Sequence, residues 1–208
     1  MSFRVLLVTD PRYDVVPLTR AALVAARPGE VAVMARLKGA GARELAALAR
    51  ALLPVCRERG AALLVNDRCD IARAVGADGA HLPESGPSVA DARAALGPSA
   101  LVGASRHGPR VDDEAPDYVT LAPVDEVPGK GPPLGLDGFE AAARSWPAPA
   151  FALGGVDAER APELIRRGAA GVAVMRAVFG AADPAAALGA LLLATRDAGQ
   201  WRKEPPEG

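Results

Sequence analysis

The chain predicts a single (β/α)8 barrel, an α/β fold, on three observations. Eight short, nearly continuous apolar runs recur along its 208 residues, each closed by a polar residue or a glycine. Most of them are separated by stretches with helical spacing, and the connections are short. Strands that are apolar on both faces and alternate with helices belong to parallel sheets. Eight such units close on themselves, whereas an open doubly wound sheet of this size more often holds about five or six strands.

In order, the runs are RVLLVT (4–9), EVAVMA (30–35), AALLV (61–65), DGAHL (78–82), ALVGAS (100–105), DYVTLA (117–122), PAFAL (149–153) and AGVAVM (170–175). The stretch RELAALARALLPVCRERG keeps its apolar residues on one helical face and stops at Gly60, a residue suited to the left-handed turn that ends helices. SVADARAALG runs from Ser88 to Gly97, and DAERAPELIRRG from Asp157, an N-cap residue type, to Gly168. The unit after the fifth run, about residues 109–115, looks stunted and is expected to be irregular. Residues 1–198 are assigned to the barrel and 199–208, polar and proline-containing, to a frayed tail.

Composition narrows the function. Half the residues are apolar and the net charge is −1, which suits one globular domain with a sizeable core. No basic excess exists to release counterions from nucleic-acid phosphates, so neither a nucleic-acid nor a membrane partner is expected. No apolar run approaches the ~18 residues that would span a bilayer, and MSFRVLLVTD begins a strand where an export signal would stand. Cys56 and Cys69 have no metal-binding or redox spacing, which points to a reducing cytoplasm.

Barrel chemistry sits at the C-terminal ends of the strands. The ends here are polar. The first strand closes with Thr9 and Asp10, the second with Arg36 and Lys38, the third with Asn66 and Asp67 in ALLVNDRCD. His81 and Glu84 follow the fourth, Ser105 and His107 the fifth, and Lys130 lies in the loop after the sixth. The pair Gly154-Gly155 ends the seventh strand, and the eighth runs into a helix start at MRAVFG. Glycine N–H groups and a helix start after the last two strands predict a phosphate site around Gly154, Gly155, Val174 and Met175. Arg36, Lys38 and Lys130 converge on the same mouth from separate strand ends, as a diphosphate would require. Asn66 would donate to a phosphate oxygen, and Asp67 would hold a hard cation such as Mg²⁺. Asp67 taken alone also reads as an N-cap for the helix that follows. His81 reads equally as a packed core residue or as a group facing the mouth.

Taken together, VTD, the Arg-x-Lys at 36–38, NDRCDIARAVGADGAHL, G-x-S-x-H, APV, FALGGV and GVAVM resemble the thiamine phosphate synthase family over roughly residues 4–190. The family includes a thiazole tautomerase branch with the same fold. The resemblance implies a transferase that couples hydroxymethylpyrimidine diphosphate to thiazole phosphate and releases pyrophosphate, with Mg²⁺ as cofactor and a homodimer as its assembly. It implies that Arg36, Lys38 and Asn66 grip the diphosphate, that Asp67 binds Mg²⁺ weakly until diphosphate arrives, and that Ser105 and Lys130 contact pyrophosphate. Gly154, Gly155, Val174 and Met175 would hold the thiazole phosphate. Three segments depart from the family pattern: Gly86 stands where a second metal carboxylate is expected, DEVPGK lacks two threonines before Lys130, and Met34 replaces a glutamine. HLPESG is similar to the tautomerase branch, yet Pro123 stands where that branch has a histidine, which leaves His107 as the proton-transfer group if the chain is a tautomerase. A non-catalytic phosphate-ligand binder is the third reading.

Overall fold

A computed structural model of the chain describes residues 2–111 and 114–196; the tail assigned from sequence lies outside the described residues. Eight parallel strands close into a barrel in sequence order. They are β1 (Val5–Val8), β2 (Val31–Ala35), β3 (Ala62–Asn66), β4 (Gly79–Leu82), β5 (Leu101–Arg106), β6 (Tyr118–Leu121), β7 (Ala150–Leu153) and β8 (Gly171–Val174). Each coincides with one of the eight apolar runs. The helices are α1 (Val15–Ala22), α2 (Ala42–Arg59), α3 (Cys69–Val75), α4 (Val89–Leu96), α5 (Gly135–Ser145), α6 (Ala161–Arg166), α7 (Arg176–Phe179) and α8 (Pro184–Ala194).

The caps explain where several helices begin and end. α2 stops at Gly60, which is left-handed at φ 62. The Ser88 hydroxyl accepts the Asp91 N–H at 3.1 Å and starts α4. Asp157 accepts the N–H groups of Glu159 and Arg160, as an N-cap would, but the residues it caps form a turn. The regular helix α6 starts only at Ala161. No helix lies between β5 and β6 among the described residues, in line with the expected irregular unit. That segment is instead tied down by the Trp146 indole N–H donating to the Gly108 carbonyl at 3.2 Å and the Arg110 N–H to the Ser145 hydroxyl at 2.8 Å.

The core has two shells. Between sheet and helices lie the outward strand residues, such as Leu7, Val33, Leu63 and Val119, against Leu52, Phe139 and Leu188 of the helices. Inside the barrel, Phe3, Leu6, Met34, Leu64, Tyr118 and Phe151 fill the axis. Three aromatic rings meet there with centroids 5.1–5.4 Å apart. Space for them comes from glycines facing inward. A Cβ on Gly103 would sit 2.2 Å from the Tyr118 ring, and one on Gly171 2.5 Å from that of Phe151. This packed floor closes the barrel from below and leaves the mouth as the place for chemistry. Among the described residues no helix is long and apolar enough to cross a membrane.

Candidate active site

On one side of the mouth, the loops after β2 and β3 enclose a cavity of about 300 Å³. Its walls include Arg36, Lys38, Asn66, Asp67 and the segment Gly39 to Ala42 that leads into α2. Four residues picked from two strand ends in the sequence therefore share one cavity. Arg36 is placed by Thr9, whose hydroxyl accepts the Arg36 N–H and donates to the Arg36 carbonyl, both at 2.8 Å. Asp10, buried beside it, is held below the usual carboxylate range chiefly by its hydrogen bonds to Arg12, with Arg36 adding a favourable charge. The side chains of Arg36 and Lys38 make no hydrogen bond or ion pair among the described residues. Elsewhere arginines are mostly spent on carboxylates: Arg4 on Glu30, Arg57 on Asp78, Arg93 on Asp117, Arg144 on Glu140 and Arg160 on Asp125.

Asp67 corrects the N-cap reading. The N-cap of α3 is Arg68, and Asp67 supplies no side-chain cap. Its backbone is left-handed at φ 67, the one non-glycine residue in that region among the described residues. The Arg68 N–H donates to the Asn66 carbonyl at 2.8 Å across it, the pattern of a rare, strained turn. The Asp67 N–H is anchored on the His81 carbonyl at 2.9 Å. Aspartate tolerates this conformation better than most residues, and strain of this kind concentrates where a ligand is gripped. The carboxylate itself is exposed and unpartnered among the described residues.

The arc from β4 to β6 is organised differently. His81 points into the barrel and is buried, with Nδ1 2.9 Å from the Tyr118 hydroxyl and Nε2 3.2 Å from that of Thr120. Burial pushes its pKa down to about 3, with Arg106 adding repulsion, so the imidazole is neutral. Thr120 also meets the Ser105 hydroxyl at 3.4 Å. Parity would have found Tyr118 and Thr120 in the sequence, since they alternate along DYVTLA on the same inward face. His107 lies outside this arrangement, exposed and with Nδ1 2.6 Å from the Glu84 carboxylate. Glu84 is thereby engaged with His107 and is not among the walls of the cavity that Asp67 lines. Gly86 closes a tight turn through its N–H to the Pro83 carbonyl, and a Cβ there would lie 2.9 Å from the Pro83 ring, so this turn accepts no carboxylate side chain.

Opposite the cavity, Gly154 and Gly155 are both left-handed, at φ 95 and 75. They pack against the loop after β6 so closely that a Cβ would meet Pro123 at 2.9 Å or Asp125 at 2.6 Å. Arg160 fastens Asp125 at 2.9 and 3.1 Å, which joins that loop to the one after β7. Among the loop hydrogen bonds of the described residues, none has the Gly154 or Gly155 N–H as donor. Val174 is buried and Met175 half-buried at the turn into α7. Lys130 is exposed, outside the walls of the β2–β3 cavity. The mouth thus holds a cationic cavity on one side and a glycine-lined turn on the other.

The thiamine monophosphate synthase family model matches residues 5–178. The thiamine-phosphate synthase of Salinispora arenicola is 39% identical over 202 residues, covering 91% of this chain and 95% of its own. That of a Roseiflexus species is 38% identical over 181 residues, covering 84% and 77%. In structure, the thiamine phosphate pyrophosphorylase of Pyrococcus furiosus superposes with a TM-score of 0.82 at 29% identity, covering 95% of this chain and 97% of that one. With the family match running from β1 into α7 and full-length relatives at this identity, the chain belongs to the thiamine monophosphate synthase family.

Proposed function

We propose that the chain is a thiamine-phosphate synthase, a transferase of thiamine biosynthesis that joins hydroxymethylpyrimidine diphosphate to thiazole phosphate. The observation that carries the reading is the β2–β3 cavity, where Arg36 and Lys38 face a half-buried Asn66 with their charges unspent. A solvated surface would leave such groups scattered, whereas a diphosphate needs them gathered. Asp67 suits Mg²⁺ that arrives with the substrate: its carboxylate is exposed and makes no hydrogen bond or ion pair among the described residues, and this ion is commonly held by one or two carboxylates plus phosphate oxygens. The described residues include no group of three or more His, Cys, Asp or Glu side chains able to hold a metal by themselves. When bound, the ion would supply neutralisation of the diphosphate charge.

The protein's part follows from its own side chains. Arg36, Lys38 and Lys130 stabilise negative charge as the bond between the pyrimidine methylene and the diphosphate oxygen breaks, with both electrons leaving on pyrophosphate. The thiazole nitrogen then forms the new C–N bond with its lone pair and becomes a thiazolium. The glycine turn at Gly154-Gly155, with Val174 and Met175, holds the thiazole phosphate so that its nitrogen faces that carbon. Ser105 donates to pyrophosphate. Neither bond change needs a proton from His107, which is paired with Glu84. The chemistry calls for a homodimer no more than for a monomer, and a small phosphorylated substrate pair is the only partner it requires.

The test is incubation of the protein with both phosphorylated substrates and Mg²⁺. Thiamine phosphate and pyrophosphate should appear in equal amounts. Turnover of a thiazole phosphate carboxylate isomer, with no pyrophosphate released, would replace this reading with the tautomerase one.

A further inference from the structure

The β4–β6 arc holds four polar groups in a row whose order of donation follows from burial alone. Tyr118 and Thr120 are fully buried and His81 nearly so, while Ser105 is half-buried at the top of β5. The contacts run from the Tyr118 hydroxyl to His81 Nδ1 at 2.9 Å, from His81 Nε2 to the Thr120 hydroxyl at 3.2 Å, and from Thr120 to the Ser105 hydroxyl at 3.4 Å. A neutral imidazole has one N–H and one bare nitrogen, and each hydroxyl has one proton to give. Three orders therefore fill every contact, because a hydroxyl oxygen can accept twice; in one of them Ser105 and Nε2–H both donate to Thr120 and strand its buried proton. If donation ran from Ser105 downward, the last proton would belong to the Tyr118 hydroxyl. That proton would be sealed in the barrel interior with no acceptor among the described residues, which is unfavourable because a buried donor left unmade loses its hydration with nothing in return. Run the other way, Tyr118 donates to Nδ1, Nε2–H donates to Thr120, and Thr120 donates to Ser105. Every buried proton then has an acceptor, and the one left over is that of Ser105, at the mouth.

Resting on the synthase reading above, we propose that Tyr118, His81 and Thr120 form a one-directional hydrogen-bond relay that presents the Ser105 hydroxyl to the mouth as a donor. Thr120 is its positioning residue. The relay gives the enzyme a neutral donor on the β5 side of the mouth, aimed at an anion whose charge is met from the β2–β3 side by Arg36 and Lys38. The depressed pKa of His81 is consistent with this, because a protonated imidazole would donate from both nitrogens and reverse the Tyr118 link. Gly103 is part of the same design: a Cβ there would strike the Tyr118 ring and hydroxyl at 2.2–2.5 Å, so only glycine lets that ring reach its place beside the imidazole.

Long-range ¹H–¹⁵N correlation spectra of the parent protein read the order directly, with His107→Gln assigning the two imidazoles. His81 should carry its proton on Nε2, with a bare Nδ1. A proton on Nδ1 overturns the relay whether or not the enzyme turns over, and an inactive protein with the Nε2 tautomer would sink the synthase reading while the relay stands. Titration with Mg²⁺-pyrophosphate supplies the second arm. Thr120→Val should weaken binding about 3- to 10-fold, the net worth of one neutral hydrogen bond. Thr120→Ser should restore it, and Thr120→Val should have no further effect in a Ser105→Ala background. Equal affinity of Thr120→Val and the parent, or losses that simply add in the double variant, would show that Thr120 only packs.

Discussion

The two arcs of the barrel mouth spend their polar groups in opposite ways. Around β2 and β3, the side chains of Arg36, Lys38 and Asp67 make no hydrogen bond or ion pair among the described residues and open onto a cavity of about 300 Å³. From β4 to β6, each polar group is already answered by a neighbour: His81 by Tyr118 and Thr120, His107 by Glu84, Arg106 by Glu114 and the face of Trp146. Charge left unpaired at a strand end can meet a ligand without first breaking an internal pair, which is the basis of the proposed diphosphate grip. In the proposed relay, the paired arc is scaffold and supplies a neutral donor. Substitutions on the first arc should therefore cost activity, and those on the second stability.

The largest contrast is expected at Asp67. Asp67→Asn keeps a residue that accepts φ 67 but removes the charge, so synthase turnover should fall about 10²- to 10³-fold. The midpoint of thermal unfolding should scarcely move. Asp67→Ala should lose the same activity and in addition about 1–2 kcal/mol of stability. The cause is the left-handed backbone, since the helix cap is not provided by this side chain. Parent-like turnover by Asp67→Asn would move the functional charge off this lip.

On the paired arc the same kind of change should appear as stability. His81 is neutral in the fold, with its pKa lowered to about 3, and titrates near 6.5 once unfolded. Above the unfolded value the two states bind equal protons. Below it the unfolded chain takes up a proton that the folded one refuses, so stability falls as pH drops and levels off near the folded value. The slope contributed by His81 is about 1.4 kcal/mol per pH unit between roughly pH 6 and 4. Denaturant titrations across that range should lose this component in His81→Asn. An unchanged slope would mean that His81 is solvated.

The smallest effect should come from the outer surface. Arg144 pairs with Glu140 one turn earlier on α5 and is largely exposed. Arg144→Ala should change stability by no more than about 0.5 kcal/mol and leave turnover untouched. A larger change would mean that paired arginines on this surface do more than solvate it.

Much of this comparison was legible in the residues. The runs from RVLLVT to AGVAVM are apolar because every strand is covered on both faces, so the barrel could be counted. Arg36, Lys38, Asn66 and Asp67 were found because polar groups at the end of buried strands have one place to point. What remained hidden depended on distances across the chain. The backbone of Asp67 is set by the His81 carbonyl and the Asn66–Arg68 link, not by its own residue type. His107 meets Glu84 across 23 positions, which removes it from the mouth. Tyr118 and Thr120 looked like ordinary strand residues, although their shared parity placed both inside.

The β2–β3 lip, in the proposed reading, grips the diphosphate. Calorimetric titration of Mg²⁺-pyrophosphate into the parent, Arg36→Gln and Arg144→Gln tests it most directly. The parent and Arg144→Gln should bind alike, and Arg36→Gln should bind at least about 10-fold more weakly, the scale of one lost charge-assisted hydrogen bond to phosphate. Equal affinity in all three would place the diphosphate elsewhere and contradict the claim.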